Sequence, residues 1–200
     1  MSGAPCAAER REGAGAPAPE LAGSLARRAD GGLEARLSGR WQAAEGGGIH
    51  AALAGMPRWL DPELARLARA RGHAAALAEA WRRHGARLLE RIEGRFALAV
   101  VDGKGEGLVA TDRHGAVPVC WAEEGGALRF ATRADALARA CGAELDPQAL
   151  LHYLHFHVVP APGTVFRGVR RLLPGHCLRI AEGRVRAGAW WTPRFGTHAA

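Results

Sequence analysis

Apolar and polar positions along this chain change period several times, and each change marks an element. Residues 1–45 carry little pattern. Gly, Ala and Pro dominate from Gly13 to Pro19, the first periodic stretch runs from Glu20 to Arg28, and the segment as a whole reads as loosely ordered or irregular. Ile49-His50-Ala51-Ala52-Leu53 reads as a strand closing at Gly55. Asp61-Pro62 then opens a helix with an N-cap carboxylate and a proline at the first helical position; it runs over 63–71 and stops at Gly72. A second helix over 74–84 sets Leu77 and Trp81 on one face, four residues apart, and stops at Gly85. A short helix covers 86–92.

The period then shifts towards strands. Phe96-Ala97-Leu98-Ala99-Val100-Val101 is apolar on both faces, as a strand covered from both sides would be. Asp102-Gly103-Lys104-Gly105 is turn chemistry, followed by strands at 108–111 and 117–121. Glu124-Gly125-Gly126 makes a hairpin turn into a strand at 128–131. Helices follow at 134–141 and from Asp146-Pro147 to about Phe156, and two last strands, 178–181 and 185–190, flank Glu182-Gly183-Arg184. Helices bracketing two sets of short antiparallel strands predict a layered α+β fold with two stacked sheets.

Composition narrows the classes. A chain of 200 residues, 48% hydrophobic, can bury a core as one domain. No apolar run approaches the ~20 residues of a membrane span, and Met1 to Glu20 lacks the apolar stretch of a secretory signal, so a cytoplasmic protein without membrane partners is expected. The net charge is +7, and Lys104 is the only lysine. Arginines such as Arg66, Arg69, Arg71, Arg82 and Arg83 are spread along helices with no aromatic stacking motif among them, which predicts solvated helix faces rather than a nucleic-acid site. Cys6, Cys120, Cys141 and Cys177 form no C-x-x-C pair, so zinc spacing is absent and no metal or cofactor is expected. Cys120 and Cys177 sit in apolar runs and read as reduced core thiols. His152, His155 and His157 cluster along one helix and its end, but no neighbouring carboxylate or thiol completes a ligand set, so packing or surface histidines are expected.

Several segments carry a resemblance. They are Leu89 to Asp102 with Glu93-Gly94-Arg95-Phe96 at its centre, Ala110-Thr111-Asp112-Arg113-His114-Gly115, Leu128-Arg129-Phe130-Ala131-Thr132-Arg133, and Pro160-Ala161-Pro162-Gly163-Thr164-Val165-Phe166 continuing to Leu173-Pro174-Gly175-His176. The pair Trp190-Trp191 follows. In this order and spacing over 86–191 they resemble the N-terminal domain of asparagine synthetases, a class II, N-terminal-nucleophile glutamine amidotransferase. The resemblance implies a four-layer αββα sandwich of two antiparallel sheets. It places the amidotransferase-like domain at 46–195, makes 1–45 a degenerate N-terminal segment of the same domain, and leaves no ATP-binding synthetase domain, since the Ser-Gly-Gly-x-Asp-Ser loop of that half is missing. Asp112 to Gly115 and Leu173 to His176 read as tight turns rather than catalytic groups.

The family's chemistry maps onto this sequence incompletely. Such enzymes expose a cysteine as the mature N-terminus and use its own α-amine as the base on the thiol. Here Ser2 stands at that place, followed by the expected Gly3, and a hydroxyl is far less acidic than a thiol. The oxyanion-stabilising Asn-Gly pair corresponds to Ala54-Gly55, which keeps a backbone amide and loses the side-chain donor. The carboxylate that would hold the substrate's amine falls on His73, and the carboxylate-binding arginine has its nearest counterpart in Arg28, within Arg28-Ala29-Asp30-Gly31. The resemblance with these losses implies a non-catalytic structural or docking module whose partner is a synthetase domain on a separate chain. The alternative is an active glutamine-hydrolysing component with Ser2 as nucleophile and glutamine as ligand. A homo-oligomer is compatible with either.

Overall fold

The computed structural model describes residues 21–27, 33–39 and 42–193. The first half holds β1 (Leu21–Arg27), β2 (Leu33–Gly39), β3 (Gln42–Gly46), β4 (Ile49–Trp59), α1 (Pro62–Arg71), α2 (His73–His84) and a 3-10 helix (Gly85–Arg91). The strand-rich middle is β5 (Ile92–Asp102), β6 (Gly107–Thr111), β7 (Cys120–Glu124) and β8 (Ala127–Ala131). Then come α3 (Ala134–Cys141), α4 (Pro147–Phe156), β9 (Arg170–Arg171), β10 (His176–Ala181) and β11 (Arg184–Ala189). One sheet has the order β2-β1-β8-β7-β9 and the other β11-β10-β6-β5-β4-β3. Every pairing within them is antiparallel.

Alternation along the strands sorts side chains into three apolar layers. Phe96, Leu98 and Val100 of β5 point towards α1 and α2 and pack with Leu64, Leu77, Trp81 and Leu88. Their neighbours Ala97, Ala99 and Val101 point the other way, between the sheets. There small residues of the six-stranded sheet, such as Ala52 and Ala97, meet large ones of the five-stranded sheet: Leu21, Leu25, Trp121, Leu128 and Phe130. The outer face of the five-stranded sheet supplies Cys120, Ala122 and Ala131 to a smaller cluster closed by Leu137 and Ala138 of α3. The result is the αββα order of layers. Each fully buried Leu or Phe contributes roughly 1.5–3 kcal/mol against the entropy of ordering the chain.

Local chemistry explains the helix ends. The Asp61 carboxylate accepts from the Glu63 and Leu64 amides at 2.8 and 3.4 Å, with Pro62 in the first turn. Asp146 accepts from the Gln148 amide at 3.0 Å and Pro147 follows it, so the same device starts α4.

Several boundaries depart from expectation. Residues 1–45, expected to be irregular, hold β1, β2 and most of β3 in their described part. Their Ala, Gly and Ser carry little strand propensity, and it is pairing with β8 and β4 that makes them strands. The strand expected to close at Gly55 continues to Trp59 along the whole length of β5. The strand expected at 117–121 starts at Cys120 and ends at Glu124, while Val117 and Val119 are buried in the connection before it. The short helix at 86–92 is a 3-10 helix, and Ile92 already belongs to β5. No helix among the described residues is long and apolar enough to cross a membrane.

Candidate functional site

Gly55 lies within β4, paired with Phe96 of β5, at φ +95°. A Cβ there would collide with the Arg95 carbonyl oxygen, so only glycine fits. Two register positions on, Gly94 faces Pro57 at φ +92°, where a Cβ would lie 2.7 Å from the Met56 oxygen. The two strands therefore approach closely around Gly55 and Gly94. Ala54 packs its methyl against the core between the sheets and offers no polar donor.

Next to this pair sits Asp112, 1% exposed, at the end of β6. One carboxylate oxygen accepts from the Phe96 and Val117 amides, both at 3.2 Å. The other accepts from His114 at 2.9 Å and Ala116 at 3.2 Å. Its backbone oxygen takes the amides of Gly115 at 3.1 Å and Gly175 at 2.9 Å. The Gly175 oxygen in turn accepts from Trp190 and Trp191, while the Trp190 indole donates to the Thr111 oxygen at 3.2 Å. A buried carboxylate needs this many donors, and Asp112 has them from backbone alone. The turns at 112–115 and 173–176 and the tryptophan pair, far apart in sequence, thus close around one residue, which acts as a structural hub.

A charged chain runs along the outside of the same region. Glu93 forms ion pairs with Arg58 and, at 3.1 Å, with Arg113. The Arg113 guanidinium lies 5.8 Å from the centroid of the Trp191 ring, and the His114 ring meets Trp191 edge-on. Sequence reasoning did not single out Glu93, because its partners lie across the β4–β5 ladder and beyond β6.

His73 stands at the start of α2, where its ring nitrogen Nδ1 accepts from the Trp59 indole at 3.1 Å. Burial holds its pKa below the ordinary value, so it is neutral at physiological pH. With Pro57, Arg58, Trp59 and Arg69 it lines a cleft of about 250 Å³. Pro57, which lines this cleft, also faces Gly94 in β5, so the cleft adjoins the far end of the glycine approach, two residues along β4 from Gly55. Ser2, Cys6 and Arg28 lie outside the described residues.

Three described thiols are free, and burial raises the pKa of Cys120, Cys141 and Cys177 alike, which keeps them protonated near neutral pH. None has the thiolate character of a nucleophile. His152 contacts Gln148 at 3.0 Å, and both His152 and His155 lie against the Phe156 ring. Among the described residues no three His, Cys, Asp or Glu side chains converge on a point where a metal ion could sit.

Residues 62–191 match the family described as the glutamine amidotransferase domain, a stretch of more than half the chain. The chain belongs to this family. This amidotransferase domain is also 31% identical, over 132 residues, to a putative glutamine-hydrolysing asparagine synthetase of Mycobacterium bovis and to its counterparts in two strains of Mycobacterium tuberculosis. The match covers 62% of this chain and 20% of each relative, so the chain spans about a fifth of the length of the curated relatives it matches. Among solved structures, a glutamine phosphoribosylpyrophosphate amidotransferase from B. subtilis aligns over 88% of this chain and 44% of its own, at 16% identity and TM-score 0.46. An allosteric regulatory enzyme of purine biosynthesis aligns over the same shares, at 17% identity and TM-score 0.48.

Proposed function

We propose that this amidotransferase domain does not hydrolyse glutamine and serves as a structural or docking module for a synthetase domain of the asparagine synthetase type, carried on a separate chain in the cytoplasm. The observation that carries the reading is the contrast around Gly55. The glycine approach and the Asp112 hub beside it are kept, while Ala54 presents a methyl where a polar side chain is needed. Loss of one oxyanion donor typically costs ~10²–10³ in rate. At the place assigned to the amine-binding carboxylate, His73 is neutral and engaged by Trp59, so it offers an ammonium group no opposite charge. The strands within 21–46 join both sheets, which supports treating 1–45 and 46–195 as parts of one domain.

The experiment is ammonia release from glutamine by the pure full-length chain, compared with Ser2→Ala. The expected result is no release above buffer and no difference between the two proteins. Release that disappears in Ser2→Ala would overturn the reading in favour of a serine nucleophile assisted by the Gly55 amide.

A further inference from the structure

The cleft between the far end of β4, α1 and the start of α2 is lined by Arg58, Trp59, Arg69 and His73 with Ala65 and Ala68, and none of its lining residues is a carboxylate. The charges around it do not balance. Glu93 is shared between Arg58 and Arg113, so one carboxylate serves two guanidinium groups. Arg69 has no ion-pair partner among the described residues. Three guanidinium groups thus stand against one carboxylate, an excess of two positive charges. His73 does not offset it, because its ring is neutral, with Nδ1 taken by the Trp59 indole and the ring proton therefore on Nε2. Trp59 is 6% exposed and ties β4 to α2 through that bond, so this wall of the cleft is fixed before anything binds. A volume of about 250 Å³ lies below the ~300–1,000 Å³ of pockets for drug-sized ligands, which leaves room for a small ion or metabolite and not for a nucleotide.

We infer that this cleft binds a small dianion of the phosphate type, held by the guanidinium groups of Arg58 and Arg69 beside Trp59. Guanidinium forks match phosphate oxygens in pairs, and a dianion neutralises the excess charge that the protein's own carboxylates leave. The same arginines repel an ammonium group, so free glutamine is a poor occupant. The inference goes beyond the non-catalytic reading and does not rest on it, since it uses only the side chains around the cleft.

The test is calorimetric titration of the pure full-length chain with inorganic phosphate at about 50 mM ionic strength, against sodium chloride at matched ionic strength. The expected result is saturable one-site binding with Kd between about 0.1 and about 1 mM. Arg69→Ala should weaken it about tenfold. Arg66→Ala removes the same charge from the same helix outside the cleft lining, and should change binding by less than about twofold. Both arginines are exposed and alanine favours helix, so both variants should fold. Glutamine at about 10 mM should not displace the phosphate. Absence of saturable binding overturns the inference. Equal weakening by the two variants does so as well, because the attraction would then belong to the net charge of +7 and not to the cleft. Displacement by glutamine also overturns it, since the cleft would then accept an ammonium group. Ammonia release is no part of the readout, so failure here leaves the proposed function standing.

Discussion

At the scale of single residues, Asp112 does more for the fold than any nearby group with a catalytic look. Its carboxylate serves four backbone amides from β5 and from the turn that follows β6. Replacing it with alanine strands those donors beside a cavity, and hydrogen bonds to a charged acceptor contribute ~1.5–3 kcal/mol each, without adding fully. Asp112→Ala should therefore lose at least about 3 kcal/mol, or about 10 °C in Tm for a domain of this size, as a thermal melt would show. Asp135 gives the pH-dependent counterpart. Hydrogen bonding from Arg133, then from Arg139, depresses its pKa to about 2. A carboxylate with a lowered folded-state pKa stabilises above its unfolded value near ~4, and that stability fades as pH falls through the folded value. Because the pair is partly solvated, Asp135→Asn should cost no more than about 1 kcal/mol at neutral pH. The gap to the parent should narrow between pH 4 and pH 2 in denaturant titrations.

At the scale of elements, caps and turns were the most legible features. Asp61-Pro62 and Asp146-Pro147 announce α1 and α4 because a carboxylate acceptor and a fixed φ act locally and need no tertiary partner. Asp61→Ala should destabilise the domain by about 1 kcal/mol, read as a shift in denaturant midpoint without a change in slope. β1 and β2 were illegible for the opposite reason. Leu21-Ala22-Gly23-Ser24-Leu25 has no branched or aromatic run, and it becomes a strand because β8 and β2 supply partners on both sides. The extension of β4 past Gly55 was hidden likewise, since a glycine normally ends a strand and here permits a close approach. Gly55 was singled out from its place in the motif order, and the structure adds that its φ of +95° and the nearby Arg95 oxygen admit only glycine there. The Glu93 ion pairs were not, because they join residues 35 and 20 positions apart.

At the scale of the whole molecule, thiol chemistry reports how the layers close. Cys120 lies beneath α3 and Cys177 beneath the α1–α2 layer, and both are 2% exposed or less. Native protein treated with iodoacetamide should leave both unmodified by peptide mass spectrometry, with alkylation appearing only in denaturant. Rapid labelling of either in the native state would contradict the layer assignment. The order of the five-stranded sheet carries a further consequence. β1 is an interior strand, hydrogen-bonded to β2 and β8, and its first residue accepts from the Thr132 amide at 2.8 Å and donates its own amide to the Thr132 hydroxyl at 3.2 Å. A fragment cut to the family-matched stretch, 62–191, would lack that strand along with β2, β3 and β4. It would expose the bare rim of β8 and uncover Phe130 and Trp121, the kind of surface that recruits other chains into aggregates. Recombinant 62–191 should therefore be insoluble where the intact polypeptide is not, and the smallest piece able to fold is set by a segment that motif similarity passes over.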